Sequence, residues 1–288
     1  MKVKNLSKTL LGSLLATSCC INTAYAGLVV TQNNNASQLV DNIVGNGITT
    51  SNVTSVGASG AFGTFTGGIS AGIGIESGIM LSSGNVVDAE GPNNNDGTTT
   101  SHSTPGDNDL TLIAGNNTFD AAILSFDFIS DGDDIFFNYV FASEEYNEYV
   151  NSNVNDSFAF FLDGSNIALI PGTNTPVSIN TVNGGNPFGS NASNSQFFNN
   201  NDLQDGGPFF DIEYDGFTDV FQASFSGLSA GAHNISLKIA DAGDSALDST
   251  VFIEAGSFSD TPTTIPEPST IAIFALSLLG LSVRKVKK

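Results

Sequence analysis

Phe126-Asp127-Phe128, Asp211-Ile212-Glu213-Tyr214 and Asn234-Ile235-Ser236-Leu237-Lys238-Ile239 each alternate polar and apolar residues with a period of two. That period belongs to a β-strand with one face buried. Two denser apolar runs, 135–141 and 158–162, read as strands buried more deeply. Turn sequences recur between them: Asp131-Gly132, Asp163-Gly164, Pro171-Gly172, Asn183-Gly184-Gly185 and Asp215-Gly216. Many short strands cut by such turns predict an all-β domain, a β-sandwich or jelly roll.

One helix is predicted, over residues 37–44, where Leu39, Val40, Ile43 and Val44 share a face and Gly45 can end it. No second stretch has a comparable pattern. Residues 88–109 and 183–207, rich in Asn and Gly, read as loops. Loops of that length in a compact domain are usually functional or disordered.

The ends differ from the middle. Lys2, Lys4 and Lys8 precede an apolar run at 10–16, and Ala24 and Ala26 supply the small residues that signal peptidase accepts, which predicts a signal peptide over 1–26. A lipoprotein site at Cys19 or Cys20 is disfavoured, because Ala16-Thr17-Ser18 lacks the usual leucine. Removing 1–26 removes both cysteines, and with them disulfides, thiol chemistry and Cys-ligated zinc. At the other end, a Pro-containing linker (260–265) leads to Pro266-Glu267-Pro268, thirteen largely apolar residues (271–283) and a basic tail from Arg284 and Lys285 to Lys288. As a helix, that run would rise about 20 Å. A hydrocarbon core is about 30 Å thick, so a transient hold in the inner membrane is expected, with the basic tail on the cytoplasmic side.

Between Gly27 and Ile265 the chain has 28 carboxylates and a single base, Lys238, for 27 net negative charges. Nucleic acids and anionic membrane surfaces are poor partners for such a chain, since both require a cationic face. Cations suit it better.

Carboxylates concentrate in two places. Glu144, Glu145, Glu148, Asp156 and Asp163 lie within twenty residues of one another, and Asp241, Asp244 and Asp248 are spaced three and four apart between two strands. Oxygen-rich loops of this kind can wrap Ca²⁺, which takes six to eight oxygen ligands in flexible geometry. The alternative is solvated acids that keep strand edges from pairing with other molecules. At Asp241, Asp244 and Asp248 both readings stand level; at Glu144 and Glu145 the solvated reading leads.

For an enzyme, Glu144 or Glu145 with Asp156 is the one carboxylate pair that could serve a glycoside hydrolase. The chain has no Trp to build a sugar platform. Gly-x-Ser-x-Gly occurs around Ser70 and Ser229, without the following helix that a nucleophile elbow needs. His102 and His233 show no metal-ligand spacing and read as incidental.

The strings YVFASEEYNEYVNSNVNDSFAFFLDG, VSINTVNGG, DIEYDGFTDVFQA and ISLKIADAGDSALDSTVFIEAGSF, in that order, resemble the bacterial choice-of-anchor L domain. SGIMLSSGNV and FDAAILSFDF look like its first part, and the C-terminal segment resembles a PEP-CTERM signal. The resemblance implies a surface protein processed by an exosortase, a membrane-embedded enzyme of Gram-negative bacteria that make exopolysaccharide. It brings no ligand or catalytic residues with it. The expectation is therefore a β-sandwich over 27–259 and a sorting signal over 266–288, in an exported, non-enzymatic protein of the cell surface or extracellular matrix. A structural or adhesive role stabilised by Ca²⁺ is expected, with Asp241, Asp244, Asp248, Glu144, Glu145 and Asp156 as candidate ligands. The alternative is an exopolysaccharide-binding module.

Overall fold

The computed structural model describes residues 27–264. The expected signal peptide with Ala24 and Ala26, and the expected C-terminal helix and sorting residues Pro266, Glu267, Pro268, Arg284 and Lys285, lie outside the described residues.

The elements run β1 (Val29–Gln32), α1 (Ala36–Ile43), β2 (Ile48–Val56), β3 (Phe62–Thr66), α2 (Gly68–Ala71), β4 (Ser77–Ser82), α3 (Asn108–Ala114), β5 (Thr118–Ser130), β6 (Asp134–Ser143) and β7 (Ser157–Leu162). They continue with β8 (Ser165–Asn166), β9 (Phe198–Asn200), β10 (Gly216–Thr218), β11 (Phe221–Ser226), β12 (His233–Ala242) and β13 (Ser249–Glu254). One sheet has the order β1-β3-β4-β13-β6-β10-β9, with β11 also paired to β6; the other has the order β2-β5-β12-β7-β8. Every strand pairing is antiparallel. The two sheets stack as a sandwich.

Alternation sorts side chains between layers. Phe137, Tyr139 and Phe141 of β6 meet Phe158 and Phe160 of β7 in the core between the sheets. Tyr139 and Phe160 pack edge to face with centroids 4.9 Å apart. Burying each such ring contributes roughly 1.5–3 kcal/mol. The intervening Val140 and Ala142 point the other way, into a second core with Met80, Ile212, Tyr214 and Phe252. The larger sheet is thus buried on both faces, which is why 135–141 reads as a continuous apolar run. Helix α1 adds Leu39, Val40 and Ile43 to the core between the sheets. Its N-terminus is capped by Asn35, whose side chain accepts from Gln38 N.

The predicted turn Asp163-Gly164 joins β7 to β8 in two residues with φ of 46° and 82°. Both values are left-handed, the condition of a type I′ hairpin turn that Asp-Gly satisfies.

Three expectations are corrected. Asp211-Ile212-Glu213-Tyr214 is not a strand: it makes one isolated bridge, Glu90 to Ile212, and its residues are pinned by contacts with Asn94 in the loop after β4 and with the Asn201 side chain after β9. Helices α2 and α3 were not expected; α3 starts inside the predicted loop 88–109, capped by Asp107, and ends at Gly115. The predicted loop 183–207 contains β9. No helix among the described residues is long and apolar enough to cross a membrane.

Candidate functional site

Antiparallel pairing gathers strand ends. Ser143, the last residue of β6, faces both Ser249 of β13 and Gly216 of β10, while Ala242, the last of β12, faces Thr118 of β5. Asp156 links the two sheets there: its Oδ1 accepts from Ala242 N at 2.8 Å and its Oδ2 from Ser249 Oγ at 2.7 Å. Acids adjoining these ends converge on one end of the sandwich. Glu144 and Glu145 follow β6, Asp156 precedes β7, Asp241 lies near the end of β12, and Asp248 precedes β13.

The acids are buried. Glu144, Glu145 and Asp241 are 1% exposed, Asp248 is 2% and Asp156 is 0% exposed. The solvated reading of these five residues is therefore corrected: they close the loop end of the core. Asp244 alone of the six candidates is exposed, and its Oδ1 accepts from Ala246 N within its own loop. The candidate glycosidase pair, Glu144 or Glu145 with Asp156, belongs to this buried set.

Hydrogen bonding satisfies some of these groups. Asp248 accepts from Thr100 N at 2.8 Å and from Thr99 Oγ1 at 3.3 Å. Gly84 lies so close to Asp248 that a Cβ there would collide with the carboxylate. Glu144 and Asp241 differ, since neither oxygen of either carboxylate has a donor in hydrogen-bonding geometry, although the Ser83 side chain lies beside Asp241 and the Asp215 carboxyl beside Glu144. Lys238 offers no help: it is held by Asp107 and Asp109. A buried carboxylate without a partner must take up a proton or a cation.

Their proton affinities follow. Burial, and then the charge of Asp156, pushes Asp241 well above the usual carboxylate range. Burial does the same to Glu144, reinforced by Asp215, Glu213 and Asp248. Burial raises Glu145 and Asp156, which repel each other. Asp248 is pushed up to about 6 by burial, against the opposing hydrogen bonds from Thr100 and Thr99.

A second cluster adjoins the first. One carboxylate oxygen from each of Asp96, Asp202 and Asp215 lies within 4.8 Å of the other two. Unscreened by a cation, two carboxylates at that spacing repel by about 3 kcal/mol at an effective dielectric constant of about 20. Burial, with the charges of Asp202, Glu148 and Asp96, raises Asp215 to about 8 although Asn93 donates to it. None of the three was a sequence candidate. One signal was present: Asn-Asn-Asn-Asp occurs twice, at 93–96 and at 199–202. Asn and Asp side chains fold tight loops by bonding nearby backbone; Asn93 Oδ1 accepts from Asn95 N, and Asn201 Nδ2 donates to the carbonyls of Ile212 and Tyr214.

His233 is not incidental to the fold. Its Nδ1 lies 2.6 Å from Asp163 Oδ2 and its Nε2 2.9 Å from the carbonyl oxygen of Ser229. Ser229 thus meets the ring through its main chain, which is not the hydroxyl contact of a catalytic triad.

A family model described as the Choice-of-anchor L domain matches residues 28–259, and one described as the PEP-CTERM protein-sorting motif matches residues 264–288. No curated protein and no solved structure matches the chain. The chain belongs to the Choice-of-anchor L domain family and carries a PEP-CTERM sorting motif, the marks of an exported surface protein sorted by an exosortase.

Proposed function

We propose that this exported surface protein is non-enzymatic, that it serves a structural or adhesive role at the cell surface or in the extracellular matrix of a Gram-negative bacterium, and that Ca²⁺ holds its acidic end together. Asp241 carries the proposal: it is buried, both its oxygens lack donors, and it neighbours Asp156 and Asp248. A hard cation with irregular oxygen coordination suits such a group. Asp241, Asp156, Asp248 and Glu145 would hold it, with Asp244 at the solvent side, after drawing closer than they stand here, since among the described residues only Asp96, Asp202 and Asp215 bring three carboxylate oxygens within 4.8 Å of one another. An ion that binds only the folded domain adds stability by mass action and offsets part of the self-repulsion of 27 net negative charges.

Signal peptidase would cut after Ala26, and the C-terminal run would rest in the inner membrane until the exosortase acts. Fractionating cells and weighing the mature protein tests this sequence of events. A mature mass that still includes residues 1–26, or an intact tail found permanently in the inner membrane, would defeat it. For the ion, a melting temperature identical in EDTA and in millimolar CaCl₂ would end the metal part.

One observation favours exopolysaccharide binding as a second reading. An open hollow of about 270 Å³ is lined by Asn147, Asn186, Phe188 and Gln204. Amides can donate to and accept from sugar hydroxyls, and the half-exposed Phe188 ring offers an apolar face. A glycan array read with and without calcium separates this reading from a purely structural one.

A further inference from the structure

Asp96, Asp202 and Asp215 come from three places in the chain: the loop after β4, the segment after β9, and the residue before β10. We propose that these three carboxylates form a second divalent-cation site, distinct from the Asp241 centre, which clamps the loop after β4 onto the segment joining β9 to β10.

The unpartnered oxygens support the site. Asp215 is fully buried; its Oδ1 accepts from Asn93 Nδ2 at 2.6 Å, and its Oδ2 has no donor. Asp96 Oδ2 accepts from Gln204 Nε2 at 2.8 Å, and its buried Oδ1 has no donor. Asp202 is fully buried and its oxygens are met by backbone and amide donors. Asn147 adds a neutral oxygen at the edge: its Nδ2 bonds Asp205 at 3.0 Å and Asp202 at 3.4 Å, while its buried Oδ1 has no donor.

Chemistry selects the ion. All the available ligand atoms are oxygens, with no His or Cys in the cluster, so a hard cation is indicated over zinc or copper. The donors around the three acids are neutral, and the domain's lysine is engaged elsewhere. A cation shared by the three acids would satisfy both donorless oxygens and offset the mutual repulsion at the same time. Its structural effect would be a cross-link between two Asn-rich segments that few regular hydrogen bonds connect.

The site does not depend on the Asp241 reading, and the two can be told apart. Calcium bound per chain is measured by isothermal titration on purified wild-type protein and on Asp96→Ala, Asp215→Asn and Asp241→Asn, with circular dichroism to confirm folding. Hydrogen exchange of residues 93–99 is followed in EDTA and in CaCl₂. The expected result is that Asp96→Ala and Asp215→Asn each lose one ion, or weaken it by at least about tenfold, and that calcium protects 93–99 in wild type and in Asp241→Asn but in neither of the other two variants. Asp96 is half-buried on a loop, so Asp96→Ala decides the matter if Asp215→Asn fails to fold. A folded Asp96→Ala that keeps the wild-type number of ions and the same affinity overturns the proposal, as does a wild type that binds no calcium. Loss of an ion in Asp96→Ala but none in Asp241→Asn upholds this site and refutes the Asp241 centre.

Discussion

Lys238 Nζ lies 2.8 Å from Asp107 Oδ2, and Asp107 is also the residue that caps helix α3, its Oδ1 accepting from Asp109 N and Leu110 N. The one Lys or Arg between Gly27 and Ile265 therefore holds a helix start against the smaller sheet, with Asp109 as its second partner at 2.6 Å. It also sits over the Phe161 ring, 5.3 Å from the centroid. Glu144, Glu145, Asp156, Asp241 and Asp248 are left without a lysine partner.

Lys238→Met should destabilise the domain by about 1–3 kcal/mol, below the cost of breaking a fully buried pair because Asp109 is largely exposed. Urea denaturation would register this as a lower midpoint at unchanged slope. Because the lysine bonds Asp107 and Asp109 and none of the proposed ligands, the calcium-dependent shift in melting temperature should survive the substitution. Loss of that shift would mean that α3 and the carboxylate end are coupled.

Ion-free protein should lose stability as pH rises. Folded-state proton affinities are raised: Asp248 to about 6 and Asp215 to about 8. Unfolded carboxylates titrate near about 4. Between those limits the folded state binds more protons than the unfolded state, so stability falls with pH across the window. Melting temperatures in EDTA should be highest near the acid end of that window and decline to pH 8. Calcium should restore stability at pH 8, by about 2.7 kcal/mol at a hundred times the dissociation constant, and do much less at pH 5, where protons compete. A flat pH profile in EDTA would count against buried, donorless acids.

Asp241→Asn has a two-sided signature. Removing a buried ionisable group should stabilise the ion-free domain at high pH, while calcium no longer raises its melting temperature to the wild-type extent. Calorimetry in EDTA and in CaCl₂ reads both effects. A variant less stable than wild type in both conditions would show that Asp241 acts through packing alone.

His233 should be an imidazolium at neutral pH. Both ring nitrogens face acceptors, so both must donate, and these two hydrogen bonds raise its proton affinity above the ordinary histidine value. A raised folded value means that the stabilisation is complete below about 6.5 and disappears as pH climbs through the folded value. Its size is about 1 kcal/mol or less, because Asp163 is half exposed. NMR titration of the imidazole in wild type and in Asp163→Asn measures it; an unshifted His233 in wild type would contradict the geometry.

The fold was legible wherever its signals are local. Alternation at 126–128 and 234–239 fell on β5 and β12, the apolar runs on β6 and β7, and Asp163-Gly164 on a hairpin turn, because strand pleat and turn dihedrals depend on neighbouring residues. The same alternation misled at 211–214, where the apolar residues serve the second core without joining a ladder. Helix α3 was missed because a seven-residue helix with one fully buried residue, Leu110, has almost no period to detect.

Local pattern was enough for an all-β domain, and the C-terminal string was enough for a PEP-CTERM sorting motif. Which acids leave water was decided by the antiparallel register alone. Ser143 meets Ser249 and Gly216, and this pairing carries Glu144, Asp248 and Asp215 into one buried end. The same topology brings Asp96 to Asp202 and Asp215. The energy of a carboxylate depends on what surrounds it in space, and residues this far apart in the chain become neighbours only when the strands pair.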